Sequence, residues 1–279
     1  MMQTGKGAQF RRRSTLERFA STAGRLLPSP LRDALSGSYE RALSHMRPER
    51  MVCMLPGGER VRLLPSLRQV TWNIDEYDAF RRDIRPGDVV FDVGANLGAY
   101  TLLFAQWAGP EGRVFAFEPA PQPYQGLRQL LDANGITSRV TPIQAAVSAS
   151  EGTAVFFASG TDGASRIVDG ASEGTISVAT VTIDAVCRRE HVLPRFIKID
   201  AEGAELDVLR GARETIAAAG AGLKLYVEMH PHLWRDYDAT RLAIETEMAR
   251  QGLRAERLDG DKAIWNVEGI CLRLVPCAS

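Results

Sequence analysis

The stretch Val89-Val-Phe-Asp-Val-Gly-Ala-Asn-Leu-Gly-Ala-Tyr-Thr101 decides the fold. Its first five residues form an apolar run interrupted only by Asp92, the pattern of a parallel strand buried on both faces. Gly94 then lets the chain turn sharply and lets a ligand approach where a Cβ would otherwise stand. Asn96 takes the middle position, where a third glycine is common, and asparagine is the next best residue for a left-handed backbone. The helix predicted from Gly98 to Trp107 turns its free N–H groups toward whatever the loop holds.

Working outward, strands alternate with helical stretches. Further strands are predicted at Arg113–Phe117, Arg139–Val147, Phe196–Asp200 and Leu223–Glu228, with a final pair at Leu253–Leu258 and Ile264–Leu274. Helices are predicted at Tyr124–Asn134, Glu205–Ala219 and Leu242–Gln251, and short strands with Gly-rich loops between Ala154 and Val181. This order implies an α/β fold: a mostly parallel sheet with right-handed crossovers and helices on both faces. Ligands in such sheets lie beyond the carboxyl ends of the strands, where the strand order reverses. Ahead of this domain (81–279) come a basic helical arm (1–50) and a β-hairpin with a linker helix (51–80). The hairpin is read from apolar alternation around Pro56-Gly57-Gly58.

Composition narrows the function. The chain has 279 residues, 34 basic and 34 acidic, so no global field attracts nucleic acid or an anionic membrane. Residues 1–50 carry ten basic and four acidic side chains, leaving the rest of the chain acidic and without interleaved basic and aromatic residues. The uncharged stretch Val93–Pro110 contains three glycines, Asn96 and Gln106, and reads as strand end, loop and helix, not as a membrane span. Four scattered cysteines, with no C-x-x-C pair, read as reduced thiols of a cytoplasmic protein.

Twenty-six residues past Asp92, at the end of the second strand, Glu118-Pro119 offers a carboxylate to both hydroxyls of a ribose. Two cofactors compete. A dinucleotide site wants G-x-G-x-x-G, so that pyrophosphate can lie on the helix N-terminus. Here Asp92 precedes a G-x-x-x-G loop, which suits a nucleoside joined to a charged amino acid, and S-adenosylmethionine (SAM) is such a molecule. The enzyme rival is an NAD-linked oxidoreductase or epimerase; the non-enzymatic rival is a SAM-binding module without activity.

Val90-Phe-Asp-Val-Gly-Ala-Asn-Leu-Gly-Ala-Tyr-Thr101, Phe117-Glu-Pro119, Ile197-Lys-Ile-Asp-Ala-Glu-Gly-Ala-Glu205, Val208-Leu-Arg-Gly-Ala212 and Val227-Glu-Met-His-Pro231 occur in that order. Together they resemble the FkbM-type class I methyltransferases. The resemblance implies a Rossmann-like fold with a seven-stranded sheet and SAM-dependent O-methylation of a hydroxyl on a small molecule or saccharide. It also implies a cofactor site from Asp92, Gly94, Ala95, Asn96, Gly98, Tyr100, Thr101, Glu118 and Pro119, with Gln144 and Ala146 beside the adenine and Asp200 near the sulfonium. A homodimer is compatible with it.

A hydroxyl acceptor is too weak an acid to react well at neutral pH without a base or a metal. His230, with a free pKa close to neutrality, is the first candidate base, and Asp200 the second. Asp200 can alternatively cap the following helix. Lys198, in mid-strand, needs a partner: Glu228 if the fourth and fifth strands are neighbours, otherwise Asp200 or substrate. Asp200, Glu202, Glu228 and His230 can alternatively hold Mg²⁺ or Mn²⁺, the less favoured reading. Trp72, Tyr77, Tyr100 and Trp234 are candidates for the acceptor wall.

Overall fold

The computed structural model describes residues 7–8, 52–67, 70, 72–158, 165–168, 170, 172–234, 237–261, 263–265 and 269–277. The basic arm expected at 1–50 therefore lies outside the described residues, apart from Gly7–Ala8. The chain divides into two compact units after Ile74. In the first, Val52–Met54 pairs antiparallel with Arg60–Arg62, closing the hairpin over buried Cys53, Leu55 and Val61. Gly7–Ala8 pairs antiparallel with Trp72–Asn73.

In the second unit seven strands form the main sheet: β1 (Val89–Val93), β2 (Arg113–Phe117), β3 (Val140–Ile143), β4 (Phe196–Ile199), β5 (Lys224–Met229), β6 (Leu253–Arg257) and β7 (Ile270–Pro276). Their order is β6-β7-β5-β4-β1-β2-β3, all parallel except β7, which runs antiparallel to both of its neighbours. This is the Rossmann-like class I methyltransferase arrangement. Sequence order reverses between β1 and β4, so the crevice of such a sheet opens beyond their carboxyl ends.

The helices include α1 (Ile74–Asp83), α2 (Ala99–Ala108), α3 (Pro121–Asn134), α4 (Ile183–Glu190), α5 (Glu205–Arg210), α6 (Arg213–Ala219) and α7 (Tyr237–Arg250). Proline at its first turn starts α3, and left-handed Gly135 ends it. The helix expected over Glu205–Ala219 is two helices, broken at Gly211-Ala212. A Cβ on Gly211 would meet the Ser148 carbonyl oxygen at 2.1 Å, so the chain passes too close there for a continuous helix surface. The strand expected over Arg139–Val147 also divides. β3 stays in the main sheet, while Ala146–Val147 joins a second sheet with Gly152–Phe157, Arg166–Ile167 and Thr175–Val181.

The two faces of the main sheet differ. Phe91, Phe115, Phe117, Ile197, Ile199 and Val227 belong to one apolar core, together with Val186 of α4, Val208 of α5 and Ile216 of α6. On the other face the ring of Phe80 in α1 meets those of Phe104, Phe196 and Tyr226 at 4.8–5.8 Å. The register sets Asp92 opposite Lys198, Lys198 opposite Tyr226, and Tyr226 opposite Arg273, so this second face becomes charged.

At the reversal, Gly94 and Ala95 donate to the Phe117 carbonyl at 3.0 and 2.9 Å, and Asp200 N–H donates to the Val93 carbonyl at 2.9 Å. A Cβ on Gly94, whose φ is +79°, would stand 1.8 Å from the Asp200 carbonyl oxygen. Gly94→Ala should therefore destabilise the fold by more than about 2 kcal/mol in denaturant unfolding, from backbone strain and displacement of β4 together.

Candidate active site

The ends of β1, β2 and β4 and the second sheet line a crevice. Its apolar lining includes Phe117, Pro119, Pro123, Ala146, Phe156 and Ile167. Glu118, Gly94, Asn96, Asp200 and Glu202 line it as well. Phe156 and Ile167 come from the second sheet and were not anticipated. Their strands, Gly152–Phe157 and Arg166–Ile167, are short, a pattern that does not distinguish a cofactor wall from a packed edge.

Glu118 accepts from the backbone N–H of Asn96 and of Ala120, each at 2.8 Å. Burial pushes its pKa up to about 7, against those two hydrogen bonds. Asn96 takes the left-handed conformation expected of it, with φ 48°. Asp92 Oδ2 accepts from the Thr101 hydroxyl at 2.5 Å. Asp92 Oδ1 and Asn96 Oδ1 are buried with no hydrogen-bond partner among the described residues. Apolar lining for a base and the Glu118 carboxylate for ribose hydroxyls fit S-adenosylmethionine, while Asp92, 1% exposed, is not among the residues lining the crevice.

The other expected cofactor residues divide. Ala95 and Thr101 shape the loop from behind. Gly98, with φ 87°, packs so closely that a Cβ would meet Leu127 Cδ1 at 2.5 Å. The Tyr100 hydroxyl donates to Glu76 Oε2 at 2.6 Å, and neither Tyr100 nor exposed Gln144 lines the crevice. The chain leaves β3 at Gln144, which does not line the crevice, while Ala145 and Ala146 do. Trp72, Tyr77 and Trp234 are buried (2%, 1% and 7% exposed), and none lines the crevice.

Lys198 Nζ lies 2.8 Å from Asp200 Oδ2 and is 2% exposed. Burial works against its charge, but Asp200, Glu228, Asp92 and Glu76 outweigh that and raise its pKa. Its partner is therefore Asp200, the second of the expected alternatives; Glu228 contributes through its field. Burial also opposes the Asp200 charge, but Lys198 and His230 hold that carboxyl below the usual range. Asp200 does not cap the following helix, whose first residue is Glu205 and whose cap is Ala204.

His230 is 5% exposed and lies behind Asp200 and Glu202, outside the crevice lining. Its Nδ1 is 2.8 Å from Glu205 Oε1. Its Nε2 faces Asp200, Glu202 and Glu228 oxygens at 3.6, 3.7 and 3.7 Å. Burial disfavours the cation, but the Glu205 hydrogen bond and the surrounding carboxylates hold its pKa at about 9. That surrounding of carboxylates favours the protonated ring and so works against a role as the first proton acceptor. Burial pushes Glu202 to about 7 and Glu228 to about 8.

Glu205 is the residue whose role the sequence concealed. Fully buried, it also accepts from Trp234 Nε1 at 3.0 Å and from Gly203 N–H at 2.9 Å. A glutamate in a first helical turn reads as a dipole partner, and nothing in the local sequence marks three donors converging on it.

The strand order and the crevice at its reversal define a class I S-adenosylmethionine-dependent methyltransferase. Residues 92–254 match the Methyltransferase FkbM domain, and the chain belongs to that family. The hexuronic acid methyltransferase AglP of Haloferax volcanii is 27% identical over 173 residues, 61% of this chain and 67% of that protein. The 31-O-demethyl-FK506 methyltransferase FkbM of Streptomyces tacrolimicus is 53% identical over 58 residues, 21% of this chain and 20% of its own length. A solved methyltransferase FkbM from Methylobacillus flagellatus KT is 21% identical with a TM-score of 0.45, covering 72% of this chain and half of that one. No helix among the described residues is long and apolar enough to cross a membrane.

Two outcomes follow from these charges. Lys198→Ala should cost about 3–5 kcal/mol in chemical denaturation, because Asp200, Asp92 and Glu228 lose their buried cation. For Glu118, the ionised form accepts ribose hydroxyls and is populated above its raised pKa. Binding of methylthioadenosine, which lacks the titrating amino acid, should therefore be about tenfold weaker at pH 6 than at pH 8 by calorimetry. Glu118→Gln should flatten that dependence.

Proposed function

We propose that this chain transfers the methyl group of S-adenosylmethionine to a hydroxyl of a small-molecule or saccharide acceptor. The observation that carries the reading is that Asp200 and Glu202 line the same crevice as Glu118 and as Gly94 and Asn96 of the loop after β1. When bound, the cofactor supplies an electrophilic methyl group, whose bond to sulfur breaks toward sulfur as the bond to the acceptor oxygen forms.

The protein's part is positioning and proton handling. Glu118 binds hydroxyl groups, while Phe156 and Ile167 keep water from the apolar lining. Asp200, fixed by Lys198, accepts a hydrogen bond from the acceptor hydroxyl. Glu202, half-buried and on the crevice wall, receives the hydroxyl proton on a carboxylate oxygen. His230 acts through these two carboxylates and is a positioning residue.

The acceptor class is supported by the relatives' names, one a hexuronic acid methyltransferase and one a 31-O-demethyl-FK506 methyltransferase. The NAD reading is disfavoured electrostatically: Glu118, Asp200 and Glu202 line the crevice and, among the described residues, no lysine or arginine does, so a pyrophosphate would face three carboxyl groups with no cation lining the crevice to pair with it.

The test combines methyl-labelled S-adenosylmethionine with a panel of saccharides and hydroxylated metabolites, read by mass spectrometry for added methoxy groups. Asp200→Asn and Glu202→Gln should each lower turnover about 100-fold or more, with cofactor affinity changed less than about threefold. Methylation confined to nitrogen or carboxylate acceptors, or unchanged turnover in both variants, would overturn the reading.

A further inference from the structure

Asp200, Glu202 and His230 each bring one ligand atom to a common point, the three atoms lying within 4.8 Å of one another. Donors at 2.0–2.6 Å from one hard cation lie within about 5 Å of each other. The cluster is more than a group of acids, because His230 points a ring nitrogen into it. That side chain is 6% exposed, and Nε2 has no hydrogen bond among the described residues, its nearest carboxylate oxygens being 3.6 and 3.7 Å away. Those separations are too long for hydrogen bonds, yet short enough for one ion to bridge.

The other ring nitrogen is already committed. Nδ1 lies 2.8 Å from Glu205 Oε1, and Glu205 is itself fixed by Trp234 Nε1 and Gly203 N–H. A carboxylate holding the far nitrogen of a histidine fixes the ring's orientation and leaves Nε2 as the ligand atom, the second-layer arrangement of histidine metal sites. The turn that presents Glu202 is held in an unusual backbone, with φ 42° at Glu202 and 93° at Gly203. A Cβ on Gly203 would stand 3.1 Å from Leu233 Cβ, so this turn is packed against the segment that follows His230. The three donors thus come from a fixed frame, and Asp200 and Glu202 also line the crevice while His230 stands behind them.

We propose that Asp200, Glu202 and His230 Nε2 bind one divalent hard cation, Mg²⁺ or Mn²⁺, where Asp200 and Glu202 line the crevice. Two carboxylates and one imidazole leave positions open toward the crevice, and the ion's charge there lowers the pKa of an acceptor hydroxyl beside it. Each carboxylate spends one oxygen on the ion, and the second oxygen of Glu202 remains to take the hydroxyl proton. The assignment rests on the methyl-transfer reading for its purpose, but not for its detection.

The experiment titrates the full chain, stripped by chelator, with MnCl₂ and follows the free-ion signal by electron paramagnetic resonance, without cofactor or acceptor. One ion per chain is expected, bound at least tenfold more weakly by Glu202→Gln, a half-buried substitution that leaves the Lys198–Asp200 pair in place. Bound Mn²⁺ should also broaden the ring resonances of His230 before those of His191. An undiminished free-ion signal, or equal binding by wild type and Glu202→Gln, would overturn the proposal. Binding with the expected variant loss supports the site even if no hydroxyl acceptor is ever methylated, so the two readings fail separately.

Discussion

A lysine ammonium buried beneath the ends of β1, β4 and β5 holds this site together. Lys198 sits in register with Asp92 on one side and Tyr226 on the other, two residues before Asp200 and on the same sheet face. A buried ammonium is expensive alone, and so is each of the carboxylates around it. Gathered, they neutralise one another well enough for the main sheet to carry a polar layer on one face while Phe91, Ile197 and Val227 stay in an apolar core on the other. The acidic lining of Asp200 and Glu202 exists because that layer is tolerated.

The second constraint is geometric. The turn after β1 and the end of β4 touch through backbone, with no room for a side chain at Gly94. This contact brings the loop after β1 and the carboxylates of Asp200 and Glu202 into one crevice, so a shift in either strand disturbs both.

Much of this was legible in the sequence because the determinants are local. Apolar runs of strand length, the glycine after Asp92 and the carboxylate at 118 place the strands and the cofactor loop by pattern alone. Lys198 announced its need for a partner because an ammonium in mid-strand violates burial preferences. What the sequence concealed depends on three-dimensional convergence. The raised pKa of His230 follows from three carboxylates, those of Glu205, Asp200 and Glu228, that converge from separate elements, and Glu205 gathers partners from positions 203, 230 and 234. Gln144 misled because a strand read as continuous breaks after Ile143 and changes sheets. The large aromatics misled in the common direction: Tyr77 and Trp234 pack or brace, and the crevice is walled instead by modest residues such as Ala146 and Ile167.

The second, four-stranded sheet touches the chemistry nowhere, yet adds Phe156 and Ile167 to the apolar lining of the crevice. Its hydrogen-bond ladder is independent of the main sheet, so its side chains can be exchanged while the charge layer around Lys198 stays intact. The apolar side of the crevice is thereby built in part on a scaffold apart from the charged layer. A lineage could retune how tightly it retains its spent cofactor, and so how quickly it turns over, without reopening the costly electrostatic arrangement around that lysine.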